Sequence, residues 1–186
     1  TDAAGATYQK SFTIVVTNVN EAPTALSLSN LSLAENSGNN AEVGSLSTTD
    51  PDNGDSFTYS LVSGAGDTDN SGFDISNGKL VSKNSLDFET KSSYSVRVKT
   101  TDGGGLSTTS SFTITVTDVN ETPTDIGISA SSIDENVDEG TVVGVLSTTD
   151  EDANDSFTYS LASGSNDNDA FSIDGSNLIT AAAVDF

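Results

Sequence analysis

The chain has no cysteine, no histidine, no methionine and no tryptophan. Without cysteine there are no disulfides and no thiolate zinc sites. Without histidine the usual general base and the commonest transition-metal ligand are both missing. Positive charge is scarce as well: 6 Lys and Arg stand against 28 Asp and Glu, a formal net charge of -22 over 186 residues. So few cations cannot displace the counterions of a phosphate backbone, which excludes nucleic acid as a partner. An anionic lipid surface would repel the chain. No run approaches the roughly 18 apolar residues of a membrane helix, so no membrane insertion is expected in this segment.

What is present is a repeat. Ser56-Phe57-Thr58-Tyr59-Ser60-Leu61 returns as Ser156 to Leu161, Leu46 to Asp50 returns as Leu146 to Asp150, and Val19-Asn20-Glu21 returns as Val119-Asn120-Glu121. Each offset is 100 residues. Past a Gly/Asp/Asn-rich stretch between Gly64 and Phe73 the offset falls to 98, which marks that stretch as a loop with a two-residue deletion in the later copy. Ser11-Phe12-Thr13-Ile14 also matches Ser111 to Ile114. The chain therefore divides into 1–20, the last strand of one repeat, 21–120, a complete repeat, and 121–186, an incomplete one. The counterpart of Tyr94 to Lys99 is missing from the third part, so that part is not expected to close a core alone. A window of a longer array is one reading. Completion by residues 1–20 of a neighbouring chain is the other.

Alternation with a period of two dominates. Phe12, Ile14 and Val16, then Phe57, Tyr59 and Leu61, then Tyr94, Val96 and Val98, then Phe112, Ile114 and Val116 form four apolar rows separated by Ser and Thr, apart from Val15 in the first and Arg97 in the third. Such rows are half-buried strands. Asn77-Gly78 between two short apolar runs predicts a tight hairpin. No segment sustains a helical period. About seven short strands per hundred residues predicts an all-β chain of tandem immunoglobulin-like Greek-key sandwiches. Pro23 and Pro123 keep the hand-over between repeats short and extended, so consecutive sandwiches are expected to sit end to end.

The carboxylates recur at fixed places: Glu35, Asp87-x-Glu89, Asp118-x-Asn120-Glu121, Asp50-x-Asp52 and Asp102, with copies at Glu135, Asn20-Glu21 and Asp150-x-Asp152. Acidity of this kind has two readings. It keeps an extracellular chain dispersed, or it gathers oxygens for a hard divalent cation, which takes six to eight of them. Clustering at segment ends favours the second, and with no histidine or cysteine the ion expected is Ca²⁺. Asp67, Asp69, Asp74, Asp167 and Asp169 read as plain turn residues. Phe57, Tyr59 and Phe112 read as core. A catalyst would need paired carboxylates in a pocket, and these lie at segment ends, so no catalytic residue and no enzyme is expected.

These pieces together resemble the cadherin repeat, in particular the cadherin-like repeats of prokaryotic surface proteins. Glu35-Asn36 resembles the Glu-Asn motif near the start of the family's repeat. Leu86-Asp87-Phe88-Glu89 resembles its Leu-Asp-Arg-Glu, and Asp118-Val119-Asn120-Glu121-Thr122-Pro123 its Asp-x-Asn-Asp-Asn-x-Pro linker. Asp50-Pro51-Asp52 and Asp150-Glu151-Asp152 resemble its Asp-x-Asp, and Asp102 its Asp-x-Gly. The resemblance implies Ca²⁺ held at one junction by Glu35, Asp87, Glu89, Asp118, Asn120, Glu121, Asp150, Asp152 and Asp155. At the preceding junction it implies Asn20, Glu21, Asp50, Asp52, Asp55 and Asp102. It places Glu135 and Asp185 in a third. The sequence departs from the family pattern in a linker shorter by one residue and in Asn18, which stands where the later copy has Asp118.

The resemblance also implies a secreted or cell-surface setting. The expected role is a calcium-rigidified spacer of an adhesin or extracellular filament, partnered by neighbouring repeats and by like chains. The rival is direct adhesion, homophilic or to a cell-surface glycan. Absent tryptophan and only four tyrosines weigh against it.

Overall fold

The computed structural model describes residues 1–164 and 167–184. The described chain is built of strands and turns, with two short 3₁₀ turns at Asn70–Gly72 and Asn168–Ala170. It divides into two compact units. The first comprises residues 1–86 and 93–116, and the second comprises 87–92 and 117–186.

The first unit holds eight strands: β1 (Ala25–Leu28), β2 (Ser32–Ala34), β3 (Glu42–Thr49), β4 (Thr58–Leu61), β5 (Phe73–Ser76), β6 (Lys79–Ser82), β7 (Ser93–Thr101) and β8 (Ser107–Thr117). One sheet has the order β1-β3-β6-β5 and the other β2-β8-β7-β4. The sandwich anticipated from the alternation is therefore present, and three of the four apolar rows line it. Leu26 and Leu46 from the first sheet meet Val98 from the second, with Leu28, Tyr59, Leu61, Ile75 and Phe112 packed around them. Phe73, Leu80, Val96 and Ile114 are fully buried. Phe73 meets the edge of Tyr94 at 5.7 Å between ring centroids and 75° between planes, the geometry that the ring quadrupoles favour.

Three polar devices hold the sandwich in register. At the Asn77-Gly78 turn both residues have positive φ, 51° and 74°, so β5 and β6 pair directly from Ser76 to Lys79, as the dipeptide predicts. Beyond the end of β4, the exposed-edge amides of β7 find side chains instead of a strand. Asp69 accepts from Ser95 N at 2.8 Å and Asn70 from Arg97 N at 2.8 Å. Thr48 of β3 bonds both the Tyr59 hydroxyl at 3.2 Å and the Thr100 hydroxyl at 2.8 Å, joining the two sheets through polar atoms. Gly44 marks a register shift in β3. A Cβ there would stand 2.9 Å from the Asn30 backbone nitrogen, so the close approach requires glycine.

The fourth row behaves differently. Residues 6–20 form no strand, and Phe12, Ile14 and Val16 are 74–91% exposed. Their counterparts in β8 are strand through pairing with β7 on one side and β2 on the other, and residues 6–20 pair with no strand among the described residues. Alternation alone gives a strand no partner.

The second unit carries β9 (Asp125–Ile128), β10 (Val142–Thr149), β11 (Phe171–Asp174) and β12 (Asn177–Thr180) in one sheet of order β11-β12-β10-β9. This is the first sheet of the repeat again, including the shift at Gly144. The counterpart of β4 at 158–161 is not a strand, although Tyr159 keeps its hydroxyl bond to Thr148 at 2.9 Å. Ile126 is 63% exposed, in contrast to its buried equivalent Leu26, because no second sheet covers it among the described residues.

Candidate metal centre

The strand ends deliver the acidic groups. In the first unit, β3 ends at Thr49 and the chain turns through Asp50-Pro51-Asp52. Asp52 N donates to Asp50 Oδ1 at 2.9 Å, an Asx turn that folds both side chains to one side. Asp50, Asp52 and Asp55 each offer a carboxylate oxygen, and the three oxygens lie within 4.8 Å of one another. Two ligands of one Ca²⁺ at about 2.3–2.6 Å stand no more than about 5 Å apart, so the spacing fits. The fit has a second support. Asp50 Oδ2 and Asp55 Oδ2 are buried with no hydrogen-bond partner, an arrangement that costs free energy unless a cation or donor meets them.

The linker reaches the same place. Glu21 N donates to Asp52 Oδ2 at 2.8 Å, and the Asn18 amide donates to Asp52 Oδ1. These two donors, the Glu21 amide first, hold the Asp52 carboxyl below its usual range. Asn20 donates to Asp102 Oδ2 at 3.1 Å, and turning that amide over would present its oxygen instead. Asp102 is only 6% exposed and also accepts from Leu106 N at 2.8 Å, closing the β7–β8 turn. Asp55 goes the other way from Asp52. Burial raises its carboxyl above the usual range, and the charges of Asp50, Asp52 and Asp102 add to the shift. Like charges crowded together resist ionising, and a cation removes that resistance.

The second unit repeats the design. Asp152 N donates to Asp150 Oδ1 at 3.0 Å, and Glu121 N to Asp152 Oδ2 at 2.9 Å. Asp150, Asp152 and Asp155 form one group of converging oxygens, and Glu89, Asp118 and Asp152 form another, each within 4.8 Å. Asp150 Oδ2 is buried without a partner. The Asn120 amide donates to Glu121 O at 2.7 Å. Asp87 accepts from Thr90 N at 2.7 Å and Thr90 Oγ1 at 2.8 Å, which pins the turn that carries Glu89 and keeps the Asp87 carboxyl below its usual range. Glu35 lies just past β2 in the first unit and is 3% exposed, whereas its copy Glu135 is exposed. Asp185 lies outside the described residues.

Two contributions were invisible in the sequence. The backbone amides of Glu21 and Glu121 act on Asp52 and Asp152 across 31 residues, and no residue-type signal announces a main-chain donor. The turn residues Asp69 and Asn70 serve strand β7, a role that only the tertiary pairing reveals.

The Cadherin domain family model matches residues 29–117. Among curated proteins, cadherin-24 of Mus musculus is 32% identical over 193 residues, covering 92% of this chain and 24% of that protein. Protocadherin gamma-A11 of Homo sapiens is 42% identical over 82 residues, 43% of this chain and 9% of that protein. This chain thus spans a quarter or less of the length of either. Among solved structures, human protocadherin-24 EC1-2 gives a TM-score of 0.67 at 21% identity, over 89% of this chain and 80% of that one. The protocadherin gammaB4 extracellular domain gives 0.63 at 26% identity, over 92% and 28%. The all-β cadherin sandwich expected from the sequence is the fold observed.

The opposed carboxyl shifts yield a pH prediction. Asp55, raised in the folded state, contributes stability that is lost as pH rises through its folded value. Asp52 and Asp87, lowered, contribute stability that is lost as pH falls through theirs. In chelator, acidification from neutral towards the ordinary carboxylate range of about 4 should first raise the melting temperature and then, below it, lower it. In millimolar calcium, acidification should only lower it, since protons then compete with the ion for Asp55. Thermal scans from pH 7 to 3 in both conditions test the pair, and parallel profiles would refute it.

Proposed function

We propose that this chain is a calcium-stiffened spacer stretch of an extracellular adhesion protein, secreted or displayed at a cell surface as an adhesin or filament. The reading is supported by the match of the Cadherin domain family to 29–117 and by one observation in particular. A linker carboxylate, Asp118, stands within reach of the same cation position as Glu89 and Asp152, while the neighbouring linker amide of Glu121 is already tied to Asp152. The proposed ligands at this linker are Glu89, Asp118, Asn120, Glu121, Asp150, Asp152 and Asp155. At the preceding one they are Asn20, Glu21, Asp50, Asp52, Asp55 and Asp102. When bound, Ca²⁺ would supply charge neutralisation. Asp118 and Glu121 then fix the path of the linker against the head of the following sheet.

Calcium titration calorimetry on the whole chain tests the proposal. Saturable binding, abolished when Asp150 and Asp152 are both changed to Asn together with Asp50 and Asp52, is the expected result. An absence of heat at millimolar calcium would end the reading.

A further inference from the structure

The chain holds two Asn-Gly pairs, Asn53-Gly54 and Asn77-Gly78, both in the first unit. This dipeptide can react with itself. The glycine amide nitrogen attacks the asparagine side-chain carbonyl carbon, and no side chain on glycine obstructs the approach. The new N–C bond closes a succinimide ring. The bond to the side-chain nitrogen breaks, and ammonia leaves with the proton from the glycine amide. Water then opens the ring at either carbonyl. One opening gives aspartate, and the other gives isoaspartate, in which the main chain runs through the former side chain.

Access does not separate the two pairs. Asn53 and Asn77 are both exposed, and a Cβ added at Gly54 or Gly78 would meet no atom within 4 Å. Backbone freedom does separate them, because ring closure requires the asparagine backbone to rotate until the next nitrogen faces its side-chain carbon. At Asn77-Gly78 the fold opposes that rotation. Both residues lie in the left-handed region, with φ of 51° and 74°. Ser76 pairs directly with Lys79, and Gly78 O accepts from Leu46 N at 2.8 Å. β6, which starts at Lys79, runs between β3 and β5 and buries Leu80 completely. Rotation at this turn first breaks the hairpin.

At Asn53-Gly54 no such frame exists. Residues 50–57, between β3 and β4, belong to no strand. The bonds that hold the turn fall on Asp52: from Glu21 N, from the Asn18 amide, and from its own N–H to Asp50. Neither Asn53 nor Gly54 is hydrogen-bonded among the described residues. The second unit has neither pair, since Ala153-Asn154 stands at the first place and Gly175-Ser176 at the hairpin.

We propose that Asn53-Gly54 is a site of spontaneous covalent modification, converting to aspartate and isoaspartate in the folded protein well ahead of Asn77-Gly78. Either product adds a negative charge to the turn where oxygens of Asp50, Asp52 and Asp55 already converge within 4.8 Å. Isoaspartate also lengthens the main chain by a methylene between Asp52 and Asp55. The change therefore ages the acidic turn of the first unit and spares its copy at 150–155.

The test ages the whole chain at mildly alkaline pH, folded in buffer and unfolded in urea. Tandem mass spectrometry of peptides locates each replacement of an amide NH by oxygen, and isoaspartyl methyltransferase labelling scores the isoaspartate. In the folded chain Asn53 is expected to convert at least about tenfold faster than Asn77, since reaction at the hairpin must wait for local opening. In urea that difference should largely vanish. Asn53→Ala, which installs the residue found at 153, should remove the fast phase of ammonia release and leave the slow one. If Asn77 converts as fast as Asn53 in the folded chain, the proposal falls. It falls equally if Asn53 converts only in urea, or if Asn53→Ala leaves ammonia release unchanged.

Discussion

Replacing Phe73 by Ala should destabilise the first unit by about 3–5 kcal/mol, a large fraction of what holds a small domain together. Phe73 is fully buried at the start of β5, an edge strand of its sheet. Its ring fills space against Tyr94 of the opposite sheet, so truncation removes apolar burial and opens a cavity between the layers. An edge strand gives partial relief, because it is paired on one side only. That relief places the expected value towards the lower end of the range. The measurement is the midpoint of urea unfolding followed by circular dichroism. An unchanged slope with a lowered midpoint would report lost stability without a change in the unfolded chain. A loss under about 1 kcal/mol would mean that the two sheets are not coupled through this ring.

Chelation should be felt most strongly at the second linker. With calcium in excess, residues 118–123 should resist protease, since Asp118 and Glu121 are tied to the head of β10 through Asp152. In chelator the carboxylates of Glu89, Asp118 and Asp152 face one another unneutralised, and repulsion at such separations is worth about 1 kcal/mol per pair in water and more where water is excluded. Cleavage in 118–123 should accelerate by an order of magnitude or more. Small-angle scattering should show a more flexible chain. Identical scattering and identical cleavage in the two conditions would count decisively against the spacer reading. Rescue by magnesium should be weak, because a smaller ion demands a tighter octahedron than these spread carboxylates offer.

Comparison of particular segments shows where sequence reasoning reaches and where it stops. The Asn77-Gly78 hairpin was legible because the turn chemistry is local and both residues must take positive φ. The rows at β4, β7 and β8 were legible because each has its partner strand nearby. The row at Phe12, Ile14 and Val16 has the same pattern and remains exposed, since a strand is a relation between two segments. For the site, residue type and spacing located Asp50, Asp52, Asp150 and Asp152, which the Asx turns do bring together. The main-chain donors of Glu21 and Glu121 and the burial of Glu35 depend on the path of distant chain, which no local spacing encodes. Asn18 was visible as a substitution, but its hydrogen bond to Asp52 was not.

The hydroxyl pair between Thr48 and Tyr59, repeated at Thr148 and Tyr159, gives each unit its own optical reporter. Tyrosine is the only strong intrinsic fluorophore in this chain, and half-buried Tyr59 and Tyr159 each hold a hydroxyl bond to a threonine oxygen. Separation of the two layers of the first unit would change the emission of Tyr59, and detachment of residues 158–161 from β10 that of Tyr159, so either event could be followed by light without attaching a dye.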